Sequence, residues 1–348
     1  MGGGEDGRAD VKVGVVGFGA WGKFHARGWG AVAGAELVAI LAHGDGSAAE
    51  ARAAFPGVSV HRELAALLAS GVEVVDVVAP NYLHADFVVA ALEAGKHVVV
   101  EKPLAIDGAG LDRILAAEQA SGRLVSVVHE LRVSEQWELI HREIAGGAVG
   151  VPMAGVYSLF RRPFRGGSGG WRHDPARVGS WVLEEPVHFI DLMLWYFSAH
   201  GAPQTVRATA TPGVLGGNLA MTVRYGSGAF FTVTQLLDGF EHHCALDIAG
   251  TDGALRSWWS AGDARVSESD AGLAIRRAGS EVAETIRFGR SGEVFELVEH
   301  LRRSHAGFLG GVSPMPAVEA AQAVRVCIAA EAACRTGGEV RLEFGFSR

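Results

Sequence analysis

One loop constrains this chain more than any other feature. In "VKVGVVGFGAWGKFHARG", Gly17, Gly19 and Gly22 form a GxGxxG pattern that follows an apolar run and precedes a helix-forming one. Gly17 permits a tight turn, Gly19 lets backbone approach a pyrophosphate, and Gly22 allows close helix packing. The helix N-terminus adds a favourable field for negative charge. The plainer reading is a glycine-rich turn in a chain with 48 glycines among 348 residues. The strand–loop–helix context argues against it and for a doubly wound, dinucleotide-binding sheet.

The next hundred residues agree. The apolar runs "VKVGVVG", "ELVAILA", "VEVVDVVAP", "HVVVEKP" and "RLVSVVH" alternate with amphipathic stretches such as "ADFVVAALEAG" and "LDRILAAEQASG". Near-continuous Val/Ile strands separated by helices predict a parallel sheet covered on both faces. After about residue 130 the pattern changes. "SEQWELIHREIAGG" reads as a helix, and the alternating segments "MAGVYSLF", "TVRATATP", "NLAMTVRYGSGAFFTVTQLL" and "HHCALDIAGTDGALRSWW" read as antiparallel strands. Two glycine-stopped helices close the chain. The expected organisation is a Rossmann-type α/β domain over residues 11–128, then an α+β substrate-binding and oligomerisation domain over 129–348 built on an open, mainly antiparallel sheet.

Length alone favours two domains. A formal charge of -8 with no Lys/Arg-rich block argues against nucleic acid as a partner. Cys244, Cys327 and Cys334 make neither a disulfide framework nor a zinc pattern, which fits a cytoplasmic setting. No apolar run reaches the roughly 18 residues that span a bilayer, so no membrane association is expected. The opening residues 1–10 read as a disordered tail.

An NAD site commonly has an acid at the end of the second strand, bound to the ribose hydroxyls. Here "LVAILAHGDGS" puts Ala42 and His43 at that point, and Asp45 comes late. An uncharged strand end with His43 and Ser47 nearby tolerates a 2′-phosphate better than a carboxylate would, yet no arginine stands there to pair with that phosphate. The expected cofactor is NAD or NADP, leaning to NADP.

"EAGKHVVVEKPLA" sets Glu101, Lys102 and Pro103 at a C-terminal strand end, and "APNYLHADF" ends the preceding strand at the same edge, where doubly wound sheets bind ligands. With these segments the chain resembles the glucose–fructose oxidoreductase/inositol dehydrogenase (Gfo/Idh/MocA) family over essentially its whole length. "GFGAWGKFH" resembles that family's nucleotide loop, "PNYLHADFVVAALEAGKHVVVEKPLA" its central segment and "VEAAQAVRVCIAAEAACRTGGEV" its closing helix. The central segment is the most specific of the three. The resemblance implies a two-domain NAD(P)-dependent oxidoreductase acting on sugars, cyclitols or their derivatives. It also implies that Gly17, Phe18, Gly19, Ala20, Trp21, Gly22, His43, Pro80, Asn81, His84, Glu101 and Lys102 border the cofactor. Lys102 would reach the reacting oxygen, where an ammonium can stabilise developing charge.

In "EEPVHFIDLMLWYF" the family pattern of an acid, a histidine four residues on and an acid three further reads Glu184, His188 and Asp191. Positions i, i+3 and i+4 lie together on a helix, so the three groups can share one cleft. A capping acid and a satisfied core histidine are the bland alternative. His188 suits proton abstraction from a ring hydroxyl as hydride leaves the same carbon. Lys102 would stabilise the alkoxide, and Glu184 would orient His188 or hold substrate. Which of Lys102 and His188 is the main base stays open. The family usually has Asp where this chain has Glu184, and lacks the Glu185–Pro186 pair. The extra methylene moves the carboxylate by about an angstrom, enough to matter to catalytic geometry.

On the substrate side, Arg132 matches an arginine that the family often points into the cleft, and Glu130 stands where a polar residue is common. Trp171 and Arg172 offer an aromatic face and donors for a sugar ring. If Arg161, Arg162, Arg165 and Arg172 converge, an acidic substrate is expected. His242 and His243 read as sheet residues, and no metal is required. Two other readings remain: a redox-neutral enzyme that retains its nicotinamide, and a non-catalytic sensor, against which Lys102 and His188 argue together. The resemblance implies a homodimer or homotetramer.

Overall fold

The computed structural model describes residues 10–163, 166–211, 217–262 and 268–344. The expected tail and Arg165 therefore lie outside the described residues, apart from Asp10. The first sheet has six strands: β1 (Val11–Val16), β2 (Ala35–Leu41), β3 (Ser59–His61), β4 (Val74–Val77), β5 (His97–Glu101) and β6 (Val125–Val128). All pair in parallel, in the order β3-β2-β1-β4-β5-β6. Every residue of β4 and β6 is buried, as a sheet covered on both faces requires. Helices α1 (Ala20–Trp29), α2 (Asp45–Ala54), α3 (Leu64–Leu68), α4 (His84–Glu93) and α5 (Gly108–Ser121) make the crossovers. The strand order reverses between β1 and β4, so the loops leaving these two strands diverge and open the crevice in which such sheets bind ligands.

The second sheet has nine strands, in the order β14-β13-β12-β11-β7-β10-β9-β8-β15. They are β7 (Pro152–Phe160), β8 (Thr205–Ala210), β9 (Leu219–Arg224), β10 (Phe230–Leu236), β11 (His242–Gly250), β12 (Ala254–Ala261), β13 (Glu268–Arg276), β14 (Glu284–Arg290) and β15 (Glu339–Arg341). Every pairing is antiparallel except β7 with β10. That one parallel pair and the strands β13, β14 and β15 extend the sheet beyond the segments picked out by alternation. The helices α6 (Glu135–Ala145), α7 (Pro175–Val178), α8 (Pro186–Tyr196), α9 (Glu293–Gly310) and α10 (Ala317–Thr336) complete the chain. Gly311 and Gly337 stop α9 and α10 in the left-handed conformation that favours glycine.

Helix α8 has apolar residues almost all round and is buried on nearly every side, Leu192, Met193 and Ile190 completely. Helix α9 returns to the first sheet: Leu297 and Leu301 pack with Trp29 and Val128. Gly28 makes room for this, since a Cβ there would lie 2.9 Å from Leu301 Cδ1. Helix α9 thus packs the later half of the chain against the first sheet beside α1.

Candidate active site

The loop after β1 has the form that the glycine spacing predicts. Gly17 adopts φ +107°, and a Cβ on it would meet Val78 O at 2.3 Å. A Cβ on Gly22 would lie 2.1 Å from Gly17 O, so the helix seats directly on the turn. Gly19 is different, with nothing within 4 Å of where its Cβ would be. It is the N-cap of α1, which has no capping side chain and no acid in its first turn. Open space beside an uncapped helix start fits the pyrophosphate of a dinucleotide. Gly17–Gly22 and the first turn of α1, including Ala20 and Trp21, would hold it. Phe18 is buried edge-on against Phe55 and backs the loop from below.

At the β2 end Ala42 is buried and His43 exposed. Asp45 pairs with Arg62 Nη2 at 2.7 Å. An arginine therefore does stand beside this strand end. It comes from the far side of β3, 17 residues beyond Asp45, where a local reading of the sequence does not reach.

Behind the crevice lies a buried chain of charges. His25 of α1 bonds Asp76 of β4 through Nδ1 (2.8 Å) and Glu101 of β5 through Nε2 (2.9 Å), while Trp29 Nε1 donates to Asp76 at 2.7 Å. Burial alone would depress the imidazole, but Asp76 and then Glu101 outweigh it and raise His25 to about 10. For Glu101 burial acts upward, yet the His25 hydrogen bond holds it below the ordinary carboxyl value. Glu101 thus faces His25 inside the sheet. His84 is fully buried, with Nδ1 2.7 Å from Pro103 O and Nε2 2.8 Å from Ala79 O. It braces the loop that carries Lys102, and burial keeps its pKa low. The Lys102–Pro103 peptide in that loop is cis.

Lys102 reaches across the crevice to the turn before α8, donating from Nζ to Glu184 O at 2.5 Å. The Glu184 carboxylate goes elsewhere: Oε1 accepts from Arg172 Nε and Oε2 from Asn81 Nδ2 at 3.4 Å. Asn81, just after Pro80, also donates to Val178 O. Neither Glu184 nor Glu185 caps α8, which starts with Pro186 in its first turn. Glu185 instead pairs with Arg161 Nη1 at 2.5 Å and lies 3.9 Å from His242 Nε2. Burial acts to raise its carboxyl, but Arg161, His242 and Lys102 hold it below the ordinary value.

His188 is 7% exposed and its Nδ1 has no hydrogen-bond partner. Burial, then the charges of Lys102, His129, Arg161 and His242, push its pKa well below the ordinary value, so it is neutral at pH 7. It stands edge-on to His129, and Glu130 Oε2 is 3.7 Å from its Nδ1. His188 also lines a cleft, with Glu130, Glu185, Trp137, Phe189, His242, Trp259 and the start of α9 around it. Cys244 on the same wall is a buried thiol pushed up to about 12 and is not a nucleophile at neutral pH. His242, read as a sheet residue from sequence, begins β11 and faces this cleft. Among the described residues no group of His, Cys, Asp and Glu could hold a metal, and no helix is long and apolar enough to cross a membrane.

Two residues expected in the substrate cleft occupy each other. Arg132 grips Asp191 bidentately (Nε to Oδ2 2.7 Å, Nη2 to Oδ1 2.8 Å) and gives Nη1 to Glu319 of α10 at 2.7 Å. Asp191 is 1% exposed with both oxygens engaged, so this pair ties α8 to α10 and is not available to a ligand. Trp171 is mostly buried, and the Arg172 guanidinium lies 4.8 Å above its ring. Of the arginines expected to converge, the three described do not form a free cationic cluster: Arg161 and Arg172 each meet a glutamate, and Arg162 Nε donates to Phe240 O. Glu185, His242, Glu293, Trp137 and Trp259 are among the cleft residues that the sequence did not point to as such. Only the unusual Glu185 signalled itself, as a second acid that no helix cap requires.

Comparison with known proteins follows the same division. Residues 11–129 match the family described as oxidoreductases with an NAD-binding Rossmann fold, and residues 137–256 match the GFO/IDH/MocA C-terminal domain. An inositol 2-dehydrogenase of Rubrobacter xylanophilus is 30% identical over 259 residues, 71% of each chain. A 4-carboxy-2-hydroxymuconate-6-semialdehyde dehydrogenase of a Sphingobium species is 28% identical over 191 residues, 55% of this chain and 56% of that protein. Levoglucosan dehydrogenase, solved with NADH and levoglucosan, superposes with a TM-score of 0.82 at 19% identity, covering 96% of this chain and 99% of that one. This last likeness is one of fold.

Proposed function

Because the chain belongs to the Gfo/Idh/MocA oxidoreductase family, we propose that it is an NAD(P)-dependent dehydrogenase of a sugar, cyclitol or related polyol. The name of the inositol 2-dehydrogenase relative points to this class. The observation that carries the reading is the meeting of Lys102 with the α8 turn, which sets an ammonium close enough to His188 for its charge to act on that neutral imidazole, itself a wall of the neighbouring cleft. The nicotinamide, when bound, supplies or takes the hydride. His188 exchanges the proton of the ring hydroxyl. Lys102 stabilises charge on that oxygen. Glu184 positions Lys102 through its carbonyl, while its carboxylate holds Arg172 and Asn81.

Arg161 and Arg172 are each matched by a carboxylate, and Arg162 is turned to the Phe240 carbonyl, so we read the substrate as a neutral polyol. The aromatic walls from Trp137, Phe189 and Trp259 suit the apolar face of a ring. The uncharged end of β2 at Ala42 and His43 is what leans the reading to NADP over NAD; Arg62 stands near it but is held by Asp45. The division at residues 128/129 into cofactor and substrate domains, a cytoplasmic setting for the free thiols, and a homodimer or homotetramer formed through the outer face of the second sheet complete the reading. That face exposes Val156, Phe230 and Leu236.

The test follows nicotinamide absorbance with purified protein, each cofactor and a panel of cyclitols, neutral sugars and sugar acids. Hydride transfer with a neutral polyol, lost in Lys102→Ala and His188→Gln, is the expected result. Bound nicotinamide that cycles without net release would indicate a redox-neutral enzyme, and tight binding without turnover a sensor.

A further inference from the structure

His188 leaves a proton problem. A buried neutral base that takes a hydroxyl proton becomes an imidazolium beside the like charges of Lys102 after β5 and Arg161 after β7, with the imidazoles of His129 after β6 and His242 at the start of β11 also acting against it. Its Nδ1 is also a buried polar atom with no partner, which native structures seldom tolerate without a reason. One carboxyl faces that nitrogen. Glu130, on the short turn after β6, places Oε2 3.7 Å away, is 6% exposed, and lines the same cleft.

We propose that Glu130 is the proton partner of His188, so that hydrogen passes between the Glu130 carboxyl and the substrate oxygen through the imidazole ring. This rests on the dehydrogenase reading and assigns its proton path. In carbonyl reduction the Glu130 O–H bond breaks and a new N–H forms at His188 Nδ1. The Nε2–H bond breaks as the substrate oxygen gains its hydrogen. Carbon receives hydride from the reduced nicotinamide that the proposed activity supplies. The site ends with Glu130 ionised, His188 neutral in its other tautomer, and an alcohol in place of the carbonyl. Oxidation runs these transfers backward. The 3.7 Å gap closes by a small side-chain movement or is bridged by one water.

The surroundings suit a carboxyl that keeps its proton at rest. Burial, then Glu101 at the end of the neighbouring strand β5 and Glu293 at the start of α9, raise Glu130 well above the ordinary value, against the opposing charge of Lys102. Within the pair these directions favour a proton on Glu130 over one on His188, the arrangement from which carbonyl reduction starts. Oxidation needs that proton removed and should be favoured by higher pH.

The discriminating variant is Glu130→Gln, which keeps shape and hydrogen bonding but cannot ionise, with the infrared spectrum of the folded protein as a readout independent of turnover. The expected result is a carboxylic-acid C=O band at neutral pH that Glu130→Gln removes. The variant should also slow reduction by roughly 100-fold in kcat with KM within a few-fold, and flatten the pH limb of kcat. Absence of that band at neutral pH, or a kcat and pH profile unchanged by Glu130→Gln, would overturn the assignment. If wild-type protein transfers no hydride to any carbonyl, it is the dehydrogenase reading that falls, and the band still decides the state of Glu130.

Discussion

Lys102 Nζ donates to the main-chain carbonyl of Glu184 at 2.5 Å, joining the end of β5 in the parallel sheet to the turn that starts α8. The contact binds the two halves of the crevice through a group that no substitution of the Glu184 side chain removes. It explains how a long flexible side chain is kept at one point. An ammonium with three rotatable donors can hold the carbonyl and still offer a donor to a substrate oxygen.

Lys102→Ala should cut kcat about 100- to 1000-fold, the scale for losing one donor to developing negative charge. Lys102→Arg should restore little of it, because the planar guanidinium cannot reproduce a point donor at the same place. Single-turnover hydride transfer at saturating cofactor measures both.

The two roles of Glu184 separate by mutation. Glu184→Gln keeps the carbonyl contact to Lys102 but weakens the charge pairing with Arg172, so the pH dependence of kcat should persist while KM rises. Glu184→Asp, which restores the usual family residue, withdraws the carboxylate by about an angstrom from Arg172 and Asn81 and should cost about 10-fold in kcat/KM. Steady-state kinetics of the two variants side by side would show it.

Gly17 and Gly19 should fail in different ways when changed to alanine. Gly17→Ala meets Val78 O at 2.3 Å in a left-handed conformation and should lower Tm by several degrees. Gly19→Ala meets nothing within 4 Å, so its Tm should hold while cofactor affinity falls at least 10-fold. Thermal melting and fluorescence titration with NADH and NADPH read the two effects independently, and the titration also tests the lean to NADP.

Removing Asp191 leaves Arg132 with only Glu319 as a carboxylate partner. Asp191→Ala should destabilise the protein by about 3 kcal/mol, as expected when one partner of a buried pair is lost. Urea denaturation gives the value, and a loss below about 1 kcal/mol would return Arg132 and Asp191 to candidacy as substrate ligands.

His25 makes stability depend on alkaline pH. Its folded pKa, about 10, lies above the unfolded value of 6.5. Its contribution is therefore complete below 6.5, declines as pH rises, and is gone above about 10. The stability gap between wild type and His25→Gln, measured by urea unfolding, should be larger at pH 6 than at pH 10.

The order and type of most elements were legible because they follow local periodicity: continuous apolar runs for β1, β4, β5 and β6, alternation for β7 to β12, and glycine stops for α9 and α10. The glycine loop was legible for the same reason, since its three constraints act within six residues. What the sequence alone did not determine was which polar groups meet. Glu184 was visible as an acid before a helix, but that its carbonyl serves Lys102 and its carboxylate Arg172 depends on two loops brought together by the sheets. Arg132 and Asp191 each looked like a cleft residue and instead satisfied each other, because a buried charge takes whichever partner the packing of α8 against α10 supplies. Arg62 lies 17 residues beyond Asp45 and became its neighbour only through the β2–β3 pairing. Hydrophobic pattern is a property of neighbours along the chain. Charge pairing, burial and the pKa values that follow from them are properties of neighbours in space, and only the tertiary structure decides those.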